Sequence, residues 1–180
     1  MHLDLKPDNL LVNSLCSESP CCIKITDFGT SRFTKSSYSN EDKGLGTPIY
    51  AAPECYNDKY SFASDVYAYG VTAWEIFYED EPYKEFKSLF EIKDYVLQGK
   101  RLKIDDFMPL NLKELIEDCW KQKPEERLGF ERVCNYLVLI SSSLEDASAL
   151  DEGVDLSKIE SLIVKRNERL NTLMNESQTK

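Results

Sequence analysis

The sequence predicts a mainly α domain, a helical bundle carrying one small antiparallel strand pair. Two patterns predict it. Residues 10–13 form a short apolar run and residues 22–26 alternate as a strand does, with a polar stretch at 14–20 between them. Beyond residue 60, apolar residues recur at helical spacing in several separate segments.

The elements follow in chain order. Residues 30–43 are rich in Ser, Thr, Lys, Asn and Asp without any period, and read as a loop. Gly46, Pro48 and Pro53 punctuate the stretch after it. Residues 63–77 carry Ala63, Val66, Tyr67, Tyr69, Gly70, Trp74, Ile76 and Phe77 with few charges, the signature of a buried helix. Ser61 or Ser64 can cap its start. A second helix is expected at 89–97, with Phe90, Ile92, Tyr95 and Val96 apolar and Gly99 as its stop. A third is expected at 112–120, apolar at Leu112, Leu115, Ile116, Cys119 and Trp120, and a fourth at about 131–141.

The last 40 residues differ in character. Residues 141–153 are polar and acidic and read as a linker. Residues 156–174 form a charged helix candidate with Leu156, Ile159, Ile163, Leu170 and Leu173 at a and d positions. Ser157 and Glu160 fit a capping box. Fewer than three heptads is short for a coiled coil, so packing on its own domain is expected. A contact with a partner through 156–174 is the other use of such a helix. The expected organisation is a first unit over 1–141 and a tail over 142–180.

Composition narrows the function classes. The chain has 22 Lys and Arg against 32 Asp and Glu, a net charge of −10. A binder of nucleic-acid phosphates needs a basic face, so no nucleic-acid partner is expected. No apolar run approaches the roughly 18 residues of a membrane span, and the N-terminus lacks a signal-peptide pattern. The six cysteines form no C-x-x-C pair, and the chain has one histidine. These features argue against a zinc site and for reduced thiols in a cytoplasmic protein. Met1 is followed at once by a chemical motif, which points to a truncated start.

That motif is His2-Leu3-Asp4-Leu5-Lys6-Pro7-Asp8-Asn9. It puts a carboxylate, an ammonium and an amide within six residues of one loop. An Asp can orient a nucleophile and accept its proton. A Lys can neutralise phosphate charge, and an Asn can ligate a hard cation through its carbonyl oxygen. Phosphoryl transfer needs those three functions, because positioning and charge stabilisation do nearly all the work. Asp27-Phe28-Gly29 follows the second strand and supplies a carboxylate that suits magnesium. Gly46-Thr47-Pro48-Ile49-Tyr50-Ala51-Ala52-Pro53-Glu54 comes next, and a buried Glu54 would require a cationic partner.

In this order the motifs resemble the signature set of eukaryotic protein kinases. Downstream, Asp65-Val66-Tyr67-Ala68-Tyr69-Gly70 is similar to the start of the family's buried central helix. Trp120, Pro124 and Arg127 are similar to its W-x-x-x-P-x-x-R segment. The resemblance covers about residues 1–141 and best fits the tyrosine-kinase-like group of serine/threonine kinases. It implies the C-terminal lobe of a kinase and transfer of the γ-phosphate of ATP, with Mg2+, to Ser or Thr of a protein substrate. By resemblance, Asp4 is the base, Lys6 meets the γ-phosphate, Asn9 and Asp27 hold magnesium, and Thr47 lines the acceptor site. Asp65 would hold the backbone of the catalytic loop, and Arg127 would pair with Glu54.

The sequence also departs from the family. Leu3 stands where an Arg docks a phosphorylated loop, so phosphate on Thr34, Ser36, Ser37 or Ser39 has lost that anchor. Ala51 replaces a bulky residue, which leaves a small gap or a reshaped peptide groove. No G-x-G-x-x-G strand, no V-A-I-K-type lysine and no preceding helices are found, so the lobe that grips ATP is expected to be absent. That loss would bare apolar surface on the remaining helices. The alternative to a catalyst is an incompetent lobe acting as an interaction module.

Overall fold

The computed structural model describes residues 1–14, 22–33 and 44–143, together with Glu168 and Thr172. The loop phosphoacceptors named above and most of the tail, including all but those two residues of the 156–174 helix candidate, lie outside the described residues.

The fold is mainly helical with a two-stranded antiparallel sheet. Strand β1 (Leu10–Val12) pairs with β2 (Ile23–Ile25), with Leu10 opposite Ile25 and Val12 opposite Ile23. Through residue 143 the described residues then form helices α1 (Phe62–Tyr78), α2 (Leu89–Leu97), α3 (Leu110–Cys119) and α4 (Phe130–Ser143). Helix α4 runs through Ser143, so residues 141–143, expected as linker, are helical. No Gly or Pro falls there to stop them. Among the described residues, short 3-10 turns also form at Pro7–Asn9, Pro48–Tyr50, Pro53–Asn57 and Pro124–Glu126. Each begins on a proline, whose fixed φ and missing N–H suit a first helical position. No described helix is long and apolar enough to cross a membrane.

Helix α1 is the centre of the packing. It buries Ser64, Asp65, Val66, Tyr67, Ala68, Gly70, Val71, Thr72 and Trp74. Both expected capping serines take part at its start: Ser61 is the N-cap residue, and its N–H donates to Ser64 Oγ at 3.1 Å. Gly70 lets α3 approach, because a Cβ there would lie 3.0 Å from Cys119 Cβ. Tyr67 is fully buried, with the guanidinium groups of Arg101 and Arg127 each 5.1 Å from its ring centroid. Burial pushes the Cys119 thiol up to about 12, so it serves as a small apolar group rather than a nucleophile. Helix α2 starts on Ser88, which accepts from Glu91 N at 3.3 Å, and stops at Gly99 with φ +81°.

Apolar surface is left bare. Phe62 and Ile76 of α1, Val138 and Leu139 of α4, and Val12, Ile23 and Ile25 of the sheet are all exposed. Large patches of this kind mark surfaces that other elements cover.

One ion pair ties the chain across 73 residues. Arg127 Nη1 and Nη2 donate to Glu54 Oε1 and Oε2 at 2.7 and 2.8 Å. Its remaining N–H groups reach the carbonyls of Lys121, Ala63 and Gln122. All five guanidinium donors are therefore used. Ser64 Oγ also donates to Glu54 Oε1 at 3.0 Å. Cutting one partner leaves the other buried and unpaired, which costs about 3–5 kcal/mol. Arg127→Ala should therefore lower unfolding free energy by about that amount in a urea titration. Arg127→Lys, which keeps the charge but loses the fork, should fall between. Equal stability of all three proteins would show that the pair contributes nothing.

Candidate active site

The N-terminal loop is positioned by α1. Asp65, buried in the helix's first turn, accepts from the backbone N–H of His2 at 2.8 Å and of Leu3 at 2.7 Å. Leu3 is held at φ +71°, a left-handed conformation that a branched side chain disfavours. Such strain costs about 1–3 kcal/mol. A hydrogen bond to a charged acceptor contributes about 1.5–3 kcal/mol, so two of them outweigh it. The turn at Leu3 leads directly into Asp4, which lines one cavity together with Leu3 and Asp65.

Asp4, Lys6, Asn9 and Thr47 converge on one carboxylate. Lys6 Nζ lies 3.2 Å from Asp4 Oδ2. Asn9 Nδ2 donates to Asp4 Oδ2 at 3.1 Å and to the Asp4 carbonyl at 2.7 Å. Thr47 Oγ1 donates to Asp4 Oδ1 at 2.6 Å and accepts from Lys6 Nζ at 2.7 Å. Burial works against the charged Asp4. The Thr47 hydroxyl, the Lys6 charge and the Asn9 amide outweigh it and hold the pKa below its ordinary value. A carboxylate so arranged can orient a hydroxyl and take its proton.

Thr47 arrives from 43 residues away, and Gly46 brings it. Gly46 has φ +84°, and a Cβ on it would sit 2.2 Å from the Leu3 carbonyl oxygen. Only glycine lets the two backbones touch there. Beneath this contact lies a cavity of about 20 Å³ lined by Leu3, Leu45, Ala51, Cys55 and Ala68 among others. It is a small gap beside Ala51, with room for about one water. Burial raises the Cys55 thiol to about 11, which makes it a poor nucleophile at neutral pH.

Asp27 joins through the backbone. Thr26 N donates to the Asn9 carbonyl at 2.9 Å, which sets the end of β2 beside Asn9. Asp27 itself is exposed, at φ +57°, and its Oδ1 accepts from Gly29 N at 3.3 Å. The structure shows no direct bond between the Asp27 carboxylate and the other four side chains. The donor set nonetheless fits a hard cation. Asn9 Nδ2 is committed to two Asp4 oxygens, which leaves its Oδ1 as the amide's acceptor atom, and an exposed Asp27 carboxylate stands just past the adjacent strand end.

His2 contributes more than the sequence reading assigned to it. Its Nδ1 accepts from Asp4 N at 3.3 Å, which fixes Nε2 as the donor to the Thr26 carbonyl at 2.9 Å. The ring thus links the loop to β2, and Phe28 packs edge-on at 5.0 Å. Thr30 Oγ1 donates to the His2 carbonyl at 2.9 Å, and Tyr50 OH to Glu75 Oε2 at 2.6 Å. No short-range pattern signals these contacts.

Two outcomes follow. Because its folded pKa is depressed, Asp4 adds stability that is present above the ordinary value of 3.8 and lost as pH falls through the lower folded value. Thr47→Val removes a donor but not the burial, so a carboxyl-carbon NMR titration should find the Asp4 pKa raised. An unmoved pKa would show that the Thr47 bond is not its cause. Gly46→Ala should have the same effect on Asp4, by driving the Leu3 carbonyl and Thr47 apart.

Residues 1–137 match the family described as protein tyrosine and serine/threonine kinase. Among curated proteins, the chain is 32% identical over 139 residues to the probable serine/threonine-protein kinase gdt2 of Dictyostelium discoideum, covering 76% of this chain and 8% of that protein. It is 33% identical over 153 residues to the dual specificity protein kinase shkA of the same organism, covering 81% and 28%. It is 38% identical over 155 residues to the tyrosine-protein kinase ZAP-70 of Mus musculus, covering 81% and 24%. The chain thus spans less than a third of the length of these relatives. With its helical fold, its two-stranded sheet and a match over its first 137 residues, this chain belongs to the protein tyrosine and serine/threonine kinase family.

Proposed function

We propose that this chain carries the catalytic loop of a protein serine/threonine kinase, which transfers the γ-phosphate of ATP to Ser or Thr hydroxyls of protein substrates. In this reading residues 1–141 are a partial kinase domain and 142–180 lie outside it. The observation that carries it is the convergence of Asp4, Lys6 and Asn9, with Lys6 at 3.2 Å and Asn9 at 3.1 Å from one oxygen of the Asp4 carboxylate.

Each side chain has a role that its surroundings support. Asp4 orients the acceptor hydroxyl and takes its proton on Oδ1, the oxygen that now accepts from Thr47. Lys6, part-buried and bonded to Thr47, presents its ammonium to the transferred phosphate. Asn9 Oδ1 and the Asp27 carboxylate would hold Mg2+. The metal-nucleotide supplies the phosphoryl group and neutralises its developing charge. Thr47 lines the place where the acceptor sits. Asp65, Glu54 and Arg127 act on structure rather than chemistry. The choice of Ser and Thr over Tyr is inferred from Lys6 standing two residues after Asp4. A cytoplasmic location belongs to the same reading, supported by free thiols at the described Cys55, Cys119 and Cys134.

Asp4→Asn in the full-length protein should lower phosphate transfer to Ser/Thr peptides by about 10²–10⁴-fold, the usual contribution of a general base. Its thermal midpoint should fall modestly, because the stability that the Asp4 charge adds above its folded pKa is lost, while circular dichroism should still show a folded protein. Radiolabel incorporation at an undiminished rate would remove Asp4 from the role.

A further inference from the structure

The hydroxyl of Thr47 already stands where an acceptor would stand. It donates to Asp4 Oδ1 at 2.6 Å and accepts from Lys6 Nζ at 2.7 Å. A phosphoryl acceptor needs those two neighbours: a carboxylate for its proton and a cation where phosphate arrives. The bond to Asp4 has the short length of a charge-assisted O–H···O⁻ contact.

The backbone delivers this hydroxyl. Gly46 packs on the Leu3 carbonyl immediately before Thr47, and Tyr50 N donates to the Thr47 carbonyl at 3.0 Å immediately after it. Neighbouring hydroxyls are committed elsewhere. Thr30 and Ser31 donate to the His2 carbonyl, Ser64 to Glu54, and Tyr50 to Glu75. Thr47 is the hydroxyl in this neighbourhood that the fold aims at Asp4.

We propose that Thr47 is itself a phosphate acceptor, modified in cis, and that its modification switches the site off. The inference rests on the kinase reading above and takes Mg-ATP as co-reactant. In the step, a bond forms between Thr47 Oγ1 and the γ-phosphorus. The bond from that phosphorus to the β–γ bridging oxygen breaks. The hydroxyl proton passes to Asp4 Oδ1, and the electron pair of the broken bond leaves with ADP.

The product cannot act again. A phosphate ester carries about −1.5 to −2 charge at neutral pH. It would sit against the Asp4 carboxylate and draw Lys6 to itself, since Lys6 Nζ already bonds the ester oxygen's parent atom. An incoming substrate then meets a blocked base and a lysine already engaged.

The test incubates the full-length protein with Mg-ATP and a Ser/Thr peptide, follows the peptide rate, and maps phosphate by tandem mass spectrometry. The expected result is phosphate on Thr47, accumulating at a rate per molecule that dilution does not change. The peptide rate should fall in parallel by about 10²-fold, the lower end of a general base's contribution. Thr47→Ser keeps an acceptor and should be modified in the same way, whereas Asp4→Asn should slow both transfers by about 10²–10⁴-fold. A phosphorylated peptide with bare Thr47 overturns this inference and leaves the kinase reading standing. A Thr47 rate that scales with protein concentration overturns the cis step, and an undiminished peptide rate overturns the switch. Phosphate on neither target overturns both readings.

Discussion

The bonds from His2 N and Leu3 N to the Asp65 carboxylate are what the site depends on. Leu3 sits in a backbone region that a leucine enters only under constraint, and Asp65 supplies that constraint from the first turn of the most buried helix. The strained turn leaves the Leu3 carbonyl facing Gly46 and leads into Asp4. From that single contact come the Thr47 position and the network on Asp4. The energy balance is local: about two charge-assisted hydrogen bonds against one unfavourable φ.

The Glu54–Arg127 pair does a different task from the same helix. Arg127 reaches the Ala63 carbonyl, and Ser64, one residue before Asp65, donates to Glu54. The segment carrying Gly46 and Thr47 runs directly into Glu54, so both ends of that segment are anchored on the first turn of α1. Two neighbouring residues, Ser64 and Asp65, thus hold the two halves of the site. This explains how side chains 43 residues apart in sequence, with both strands between them, meet at 2.6 Å.

The helices were legible because their buried faces repeat. The α2 pattern gave its bounds directly, whereas α3 begins two residues before the expected start. Leu110 is exposed there and lies off the buried stripe, so periodicity passes over it. Three-residue 3-10 turns have no period to read, although the prolines that open them were visible as punctuation. Asp4, Lys6 and Asn9 were legible as a group because one short loop holds them. Physical chemistry alone could say that a buried Glu54 requires a cation, but not which one, and the family resemblance pointed to Arg127. The contacts of His2, Gly46, Ser64 and Glu75 were not legible, since each depends on a neighbour that only the folded chain brings near.

The account stands on Asp65 holding the loop, and the amide of Leu3 reports on it directly. Exchange of that amide with deuterium, followed by NMR, should be slow in the parent protein, although Leu3 lies outside every helix and strand. In Asp65→Ala it should become fast while amides in the centres of α1 and α3 stay protected. A Leu3 amide that exchanges freely with Asp65 in place would contradict the account.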